Sequence, residues 1–327
     1  MSEKAKRIVI EEENVCKYFN VKGGRKQQNE VTAVDGVSLK LYEGETYGLV
    51  GESGCGKGTL GRTLIRLLDP TSGKIMLDGT DISDISKKDM REMRQKVQMV
   101  FQDPYTSLNP RKRVGDILME ALEIHHIGDK KERMETAMKT LGKVGLRPEH
   151  FYRYPHEFSG GQRQRVGLAR ALILNPDIII CDEPVSALDV SIQSQIINLL
   201  KELQKERNLT YLFIAHDMSV IKYISDRVGV MYLGHLVEEA ETDELFEHTL
   251  HPYTEALLSA VPDTNPHEKK QRIMLEGDLP SPLNPPSGCV FHTRCPKACA
   301  ECATRKPVMQ EIRPGHRAAC LLYEKDR

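Results

Sequence analysis

Apolar and polar residues alternate through much of positions 8–50, which is the period of half-buried strands. Within this region VTAVDGVSLKLYEGETYGLVG (31–51) predicts two strands joined by the turn Tyr42-Glu43-Gly44-Glu45. The polar segment 22–30 predicts an exposed loop, and GKIMLDGTDI (73–82) predicts a further hairpin. We therefore expect an antiparallel β subdomain in the N-terminal part of the chain.

Apolar residues take helical spacing further along the chain. KGTLGRTLIRLL (57–68) has this spacing and stops at Asp69-Pro70, while 84–96 predicts a charged helix followed by the strand KVQMVFQ (96–102). Two more helical patterns, at 116–127 and 131–146, predict an inserted helical subdomain over about residues 103–165.

The next segments read as strand, helix and strand. PDIIICDEP (176–184) and YLFIAHD (211–217) are almost continuously apolar and flank an amphipathic helix at 191–207. Continuous apolar strands that alternate with helices are typical of a parallel sheet covered on both faces. The fold class predicted is therefore α/β.

Length and charge restrict the class of protein. At roughly 150 residues per domain, 327 residues indicate about two domains. Lys plus Arg number 46 and Asp plus Glu 47, so the formal charge of −1 favours neither a nucleic-acid partner nor a polybasic membrane anchor. The apolar runs are too short to span a bilayer, and MSEKAKRIVIEEE lacks the apolar run of a signal peptide. We expect a cytoplasmic protein that does not itself span a membrane.

The segment GESGCGKGTL (51–60) lies between the apolar strand YGLV and a predicted helix, and it fits G-x-x-x-x-G-K. Glycines let backbone N–H groups close around phosphate oxygens, and a helix N-terminus adds a positive field. Lys57 is expected to reach the terminal phosphates. The loop residues predicted to line a nucleotide are Gly51, Ser53, Gly54, Cys55, Gly56, Lys57, Gly58 and Thr59.

One loop position departs from the pattern. After the lysine the pattern has Ser or Thr, whose hydroxyl ligates Mg²⁺, but this chain has Gly58. Thr59 follows, yet one residue along a helix points about 100° away. Either water fills the vacated Mg²⁺ position and the site works more weakly, or the loop binds nucleotide but turns it over poorly.

Two acidic residues, Asp182 and Glu183, end the apolar strand 178–181. An Asp at the C-terminal end of a strand suits a direct or water-mediated Mg²⁺ contact. The adjacent Glu183 suits a general base that polarises water for attack on a γ-phosphate. The pair is a weak signal alone and a strong one beside the phosphate loop.

Further motifs follow in a characteristic order: Gln102 in VFQDP, FSGGQRQR (158–165), SALD (186–189) and His216 in FIAHD. With the phosphate loop, they resemble the ATP-binding cassette (ABC) ATPases over about residues 7–250. The resemblance implies a P-loop NTPase fold with parallel-sheet core, and hydrolysis of Mg²⁺-bound ATP. It also implies a signature motif, which contacts the γ-phosphate bound by the opposite subunit, at Ser159, Gly160, Gly161 and Gln162.

The resemblance implies other roles too. Gln102 would sense Mg²⁺ and the membrane partner, SALD would cross a dimer, and His216 would hold the γ-phosphate and the attacking water. Lys17-Tyr18-Phe19 resembles the stretch that stacks an aromatic ring on adenine. Spacing from Lys17 favours Phe19, with Tyr18 second, and a core strand aromatic is the alternative.

A particular branch of the family is indicated by DPYTSLNPRKRVGDIL (103–118), HPYTEALLSAVP (251–262) and the tail motif GCVFHTRCP. These resemble ATP-binding subunits of oligopeptide and dipeptide importers, nickel importers included, and Tyr105 resembles the second of two paralogous subunits. The resemblance implies a head-to-tail dimer with a paralogue, two transmembrane permease subunits, a solute-binding protein, and a peripheral location on the cytoplasmic face of the membrane. Peptide and nickel both stay open as the solute.

The resemblance sets the domain limits at 7–255 for the ABC ATPase domain and 256–327 for a C-terminal extension. Six prolines at 262–288 mark a linker before a cysteine-rich tail. Cys289, Cys295, Cys302 and Cys320 have the spacing C-x5-C-x6-C-x17-C, which can converge on one metal centre. The resemblance implies a 4Fe–4S cluster on these four thiols. Zinc and a metal-free tail are the alternatives.

Two other functions compete with a transport ATPase. Gly58 favours a catalytically weak nucleotide-binding partner that acts by closing the dimer. A cassette ATPase acting on DNA or the ribosome is disfavoured, because the chain has no long heptad run and no basic excess.

Overall fold

The computed structural model describes residues 6–22, 28–261 and 272–324. The chain folds as two compact units. The phosphate-loop unit comprises Ile8–Leu41, Thr46–Ser83 and the chain from Ala215 onwards. The helical unit comprises Tyr42–Glu45 and Asp84–Ile214.

The strands in the described part of the chain are β1 (Ile8–Lys22), β2 (Gln28–Tyr42), β3 (Thr46–Val50), β4 (Ser72–Leu77), β5 (Thr80–Asp81), β6 (Val97–Val100), β7 (Ile178–Asp182), β8 (Thr210–Ile214), β9 (Arg227–Tyr232), β10 (His235–Glu241), β11 (Gln310–Arg313) and β12 (His316–Ala318). The helices are α1 (Lys57–Leu64), α2 (Lys87–Lys96), α3 (Pro104–Ser107), α4 (Val114–Ile124), α5 (Lys130–Lys143), α6 (Gly160–Leu172), α7 (Val190–Arg207), α8 (Met218–Ile224), α9 (Thr242–Glu247) and α10 (Pro252–Ser259).

The N-terminal strands of the phosphate-loop unit form a sheet in the order β2-β1-β4-β5. β1 and β4 are antiparallel, with Ile10 opposite Leu77, and β4 pairs antiparallel with β5. This confirms the hairpin predicted at 73–82. The turn predicted at 42–45 lies between the end of β2 and the start of β3. The predicted loop at 22–30 has its central residues, 23–27, outside the described residues.

The remaining strands of this unit follow the order β11-β12-β10-β9-β3. β3 is buried along its whole length and runs parallel to β9, with Gly48 opposite Val228. β10 pairs antiparallel with β9 on one side and with β12 on the other. The tail hairpin β11–β12 is an addition that the sequence did not predict, because 310–318 is short and mixes apolar with charged residues. Pro262 and Pro266 of the predicted linker lie outside the described residues.

The helical unit contains the strands β8-β7-β6, all parallel, with Ile179 of β7 between Tyr211 and Gln98. β7 and β8 are buried along their whole length, which explains their continuous apolar sequence. The predicted parallel sheet is therefore confirmed.

The inserted helices α4 and α5 lie in the same unit. The buried residues of α4 fall one turn apart, at Val114, Ile117, Leu118 and Leu122. Phe151 packs against Gly115, where an added Cβ would come 2.4 Å from the ring. Each such fully buried apolar side chain contributes about 1.5–3 kcal/mol, so this face fixes the insertion. In the described part of the chain, the helices all fall short of the length and apolar character that crossing a bilayer requires.

Candidate nucleotide site

The phosphate loop runs from the end of β3 to the start of α1, and two of its glycines are required by close approach of other backbone. An added Cβ at Gly51 would lie 2.1 Å from the Met231 carbonyl oxygen, and one at Gly56 would lie 2.1 Å from that of Ala33. Gly56 also has φ of 105°, which side-chain-bearing residues rarely adopt. Ser53 and Gly54 are exposed, so they form the open side of the loop.

Lys57 is folded back into this loop and is only 4% exposed. Its Nζ donates to the carbonyl oxygens of Gly51 at 2.6 Å and Glu52 at 3.0 Å. Two neutral carbonyl oxygens thus hold the Lys57 side chain at the centre of the loop. Such a loop is suited to an anion with several oxygens.

Cys55 fills the interior of the loop. Its Sγ is 3.8 Å from the Lys57 Nζ, and burial raises the pKa of the thiol even though the ammonium opposes this. Gly58 and Thr59 lie in the first turn of α1, both half-buried. The Thr59 carbonyl accepts from the Thr63 hydroxyl at 2.8 Å, within the helix.

Gln102 and Glu183, which are 81 positions apart, meet in the helical unit. The Gln102 Nε2 donates to the Glu183 Oε2 at 2.9 Å. Glu183 has φ of 46°, and its N–H donates to the Ile214 carbonyl at 3.0 Å, so the end of β8 fixes the bend after β7. Asp182 is buried at the last position of β7.

The SGGQ motif begins α6. Ser159 is the N-cap: its hydroxyl accepts from the Gln162 N–H, and the Gln162 Oε1 accepts from the Ser159 N–H at 3.0 Å. Gly161 lies against Ile192, where an added Cβ would be 2.6 Å from the Ile192 side chain, and Leu188 of the SALD segment lies over Gly160. The exposed helix start therefore presents N–H groups and a hydroxyl.

His216 is an exposed residue of the phosphate-loop unit, in the turn before α8. The preceding residue, Ala215, donates its N–H to the Leu49 carbonyl at 3.1 Å. His216 therefore lies beside the strand that leads into the phosphate loop.

The two predicted adenine-stacking residues differ in their surroundings. The Tyr18 hydroxyl donates to Asp35 at 2.7 Å, and burial raises the pKa of this tyrosine. Phe19 is half-buried, with the Lys17 Nζ 5.0 Å from its ring centroid. Since consecutive strand residues face opposite sides, at most one of the two rings faces a given ligand.

The metal prediction for the tail is wrong. Among the residues that the structure describes, no three or more His, Cys, Asp or Glu side chains are grouped so as to hold a metal ion. The Cys302 Sγ lies 3.3 Å from the Sγ of Cys299 and accepts from its N–H, so Cys302 is engaged with the cysteine outside the predicted set. Burial raises the pKa of the thiols of all four predicted ligands. The geometry of the described residues therefore does not support the 4Fe–4S cluster or zinc predicted at Cys289, Cys295, Cys302 and Cys320.

Sequence reasoning missed contacts that the C-terminal region makes with the phosphate loop. The Glu52 N–H donates to the Tyr253 hydroxyl at 2.8 Å. The Glu52 carboxylate accepts from both terminal nitrogens of Arg294, at 2.7 and 3.1 Å. Tyr253 and Arg294 belong to the segments HPYTEALLSAVP and GCVFHTRCP, whose only signal in the sequence is their resemblance to importer subunits.

Comparison with known proteins gives concordant matches. Residues 34–186 match the ABC transporter family, and residues 237–302 match the oligopeptide/dipeptide transporter C-terminal region. The chain is 57% identical over 300 residues, 91% of each chain, to the putative oligopeptide transport ATP-binding protein YkfD of Bacillus subtilis. It is 52% identical over 323 residues to the oligopeptide transport ATP-binding protein OppF of Salmonella typhimurium, covering 97% of this chain and 96% of that one.

A solved structure agrees with this. The ATP-binding cassette MJ0796, in a dimeric post-hydrolysis state bound to ADP and Pi, matches with a TM-score of 0.64 and 30% identity, over 71% of this chain and 98% of that chain. The chain belongs to the ABC transporter ATP-binding proteins, in the branch that carries the oligopeptide/dipeptide transporter C-terminal region. It is an ABC-type ATPase, which uses ATP and Mg²⁺, and the predicted fold class and family are confirmed.

Proposed function

We propose that this chain is the ATP-hydrolysing subunit of a peptide importer. The phosphate loop is the observation that carries the proposal: a closed turn of backbone around a buried Lys57, with Ser53 and Gly54 exposed. The curated relatives named above are oligopeptide transport proteins, which supports peptide rather than nickel as the solute.

In the phosphate-loop unit, Lys57 contacts the β- and γ-phosphates, and the loop N–H groups surround their oxygens. The residues that line the nucleotide are Gly51, Ser53, Gly54, Cys55, Gly56, Lys57, Gly58 and Thr59. Phe19 stacks on adenine, because the Tyr18 hydroxyl is engaged with Asp35. His216 holds the γ-phosphate and the attacking water.

In the helical unit, Glu183 is the general base that polarises the attacking water, and Gln102 orients its carboxylate through the 2.9 Å hydrogen bond. Asp182 contacts Mg²⁺ directly or through water. The N-terminus of α6 binds the γ-phosphate held by a partner subunit through Ser159, Gly160, Gly161 and Gln162, since a helix start with free N–H groups favours an anion.

The partners follow from this arrangement. A signature motif that completes the partner's site requires a head-to-tail dimer, and the cassette MJ0796 is itself dimeric in its solved structure. We infer that the second subunit is a paralogue, and that the pair docks on two transmembrane permease subunits served by a solute-binding protein. The chain would then act as a peripheral protein at the cytoplasmic face of the membrane.

Glu183→Gln tests the site. It keeps the size and the hydrogen bonding of the side chain but removes the base, so Mg²⁺-dependent ATP hydrolysis by the assembled importer should fall by about 10²–10⁴-fold. Binding of ATP should persist. Glu202→Gln, on the exposed face of α7, is the matched control and should leave hydrolysis unchanged.

Retention of hydrolysis in Glu183→Gln would contradict the assigned role.

Transport is tested separately in vesicles that hold the complete importer. ATP-dependent uptake of short peptides is expected, whereas uptake of Ni²⁺ alone would overturn the peptide assignment.

A further inference from the structure

Glu52, the second residue of the phosphate loop, is held from two sides by the C-terminal region. Its N–H donates to the Tyr253 hydroxyl, and its carboxylate forms a two-point ion pair with the Arg294 guanidinium at 2.7 and 3.1 Å. The Arg294 side chain is 9% exposed and that of Glu52 27%. Paired, charge-assisted hydrogen bonds of this kind are directional, and water screens them little when they are so enclosed.

A cluster of aromatic rings fixes the place of Arg294. Phe291, three residues earlier, is 1% exposed and packs on Tyr232 and Tyr253 with ring centroids 5.1 and 5.3 Å apart. The Arg294 N–H donates to the Phe291 carbonyl at 3.0 Å in the 3₁₀ turn at His292–Arg294. Burial of the Phe291 ring stabilises this turn in its place beside the loop.

Glu52 also connects to the groups that face the nucleotide. Its carbonyl accepts from the Lys57 Nζ at 3.0 Å and from the Cys55 N–H at 3.3 Å. Any shift of the Glu52 backbone would therefore move the lysine that contacts the phosphates.

The charge of Glu52 matters as much as its place. An unpaired carboxylate in a phosphate loop repels the anion that the loop must bind, and this repulsion is stronger in a partly buried site than in water because the effective dielectric is lower. Arg294 cancels this charge at hydrogen-bond distance. The pair has no counterpart in the phosphate-loop pattern itself.

We propose that Arg294 is a positioning residue for ATP binding, which neutralises Glu52 and holds the phosphate loop in its binding conformation, with Tyr253 as a second support. The C-terminal extension is thereby part of the nucleotide site's structure. The proposal rests on the proposed function, namely that this loop binds ATP.

The test is the affinity of the purified full chain for ATP, measured by titration with a fluorescent ATP analogue and Mg²⁺. Arg294→Gln should raise Kd about tenfold, because it leaves Glu52 as an uncompensated charge near the phosphates. Glu52→Gln should change Kd much less. The double variant Glu52→Gln/Arg294→Gln should regain most of the affinity, since the repelling charge is gone.

This recovery separates the proposal from a merely structural role, for which the losses of ATP affinity in the two single variants would add up in the double variant. Lys297→Gln is the matched control: Lys297 lies three positions further in the same tail and pairs with Glu255 of α10 at 2.6 Å. It should bind ATP like the wild type. Arg294→Lys keeps the charge but not the two-point geometry, so its Kd for ATP should lie between those of the wild type and Arg294→Gln. It provides a second measurement if Arg294→Gln does not fold.

The outcomes are distinct. If the wild type binds ATP tightly and Arg294→Gln has the same Kd as Lys297→Gln, the inference is overturned and the proposed function still stands. Arg294→Lys replaces Arg294→Gln in this comparison if the latter does not fold. Failure of the wild type to bind ATP would overturn the proposed function itself.

Discussion

A single residue, Gly58, alters how the phosphate loop can bind Mg²⁺. Gly58 occupies the position at which the pattern supplies a Mg²⁺-ligating hydroxyl, and Thr59 points in another direction around α1. The comparisons do not favour a catalytically weak partner subunit. We therefore expect Gly58 to lower the rate of ATP hydrolysis without abolishing it.

Gly58→Ser should raise Mg²⁺-dependent ATP hydrolysis by the assembled importer, by about tenfold, the lower end of the contribution of single metal-site contacts. Gly58→Ala is the control, because it raises helix propensity at least as much as serine does but adds no hydroxyl. An equal effect of both variants would contradict the explanation and indicate that water already occupies the ligand position.

The cysteines should react at very different rates. Cys299 is exposed and its hydrogen bond with Cys302 lowers the pKa of its thiol, whereas burial raises the pKa of Cys55. Since the thiolate is the nucleophile, Cys299 should be alkylated by iodoacetamide at neutral pH at least about tenfold faster than Cys55. Peptide mass spectrometry after timed quenching measures both rates.

Cys302→Ser provides the comparison for this prediction. It replaces the sulfur partner of Cys299 and should slow alkylation at Cys299. Rapid modification of Cys55 would show that the phosphate loop opens more than its burial implies.

At the scale of elements, caps decide where helices begin. Asp129 caps α5 and Ser159 caps α6, each with a reciprocal side chain three residues later, Glu132 and Gln162 respectively. Both starts have a strong local signal in the sequence. Only the second is assigned a role in binding phosphate.

Ser159→Ala and Asp129→Ala form a matched pair. Each should lower the free energy of unfolding by about 1 kcal/mol, because each leaves helix N–H groups without their cap. Only Ser159→Ala should also lower ATP hydrolysis by the assembled importer. Denaturant unfolding and an ATPase assay on both variants test this, and equal activities would argue against α6 as the phosphate-binding helix.

At the scale of the whole chain, a buried ion pair anchors the tail hairpin to β10. His316 of β12 is fully buried, with its Nε2 2.8 Å from Glu238 and its Nδ1 3.3 Å from Glu244. Burial lowers the pKa of this histidine, but its hydrogen bonds with the two carboxylates raise it more, so the net shift is upward.

The sign of the pH dependence follows from this shift. A group whose pKa is raised on folding stabilises fully below its unfolded value of about 6.5 and loses that effect as pH rises through the folded pKa. Thermal unfolding should therefore show a fall in Tm as the pH rises above about 6.5, and His316→Gln should reduce that fall. His156→Gln, at an exposed site, should retain the wild-type fall, and an equal slope in all three proteins would contradict this role.

Local sequence patterns were sufficient to predict most secondary-structure elements and the class of protein. Local periodicity placed the β2–β3 turn, the hairpin β4–β5, the buried strands β7 and β8 and the inserted helices α4 and α5. The phosphate loop is also local, because its glycines and Lys57 act through backbone geometry within a few residues. Motif order then led to the ABC family.

The contacts of the C-terminal tail, by contrast, could not be predicted from local patterns. Spacing suggested that the four cysteines meet at a metal, but the thiol of Cys302 is hydrogen-bonded to that of Cys299 instead. The ion pair between Glu52 and Arg294 joins residues 242 positions apart, and no periodicity or motif encodes such a contact. Patterns along a chain record local backbone geometry and burial, whereas partners of buried charges depend on how distant segments pack.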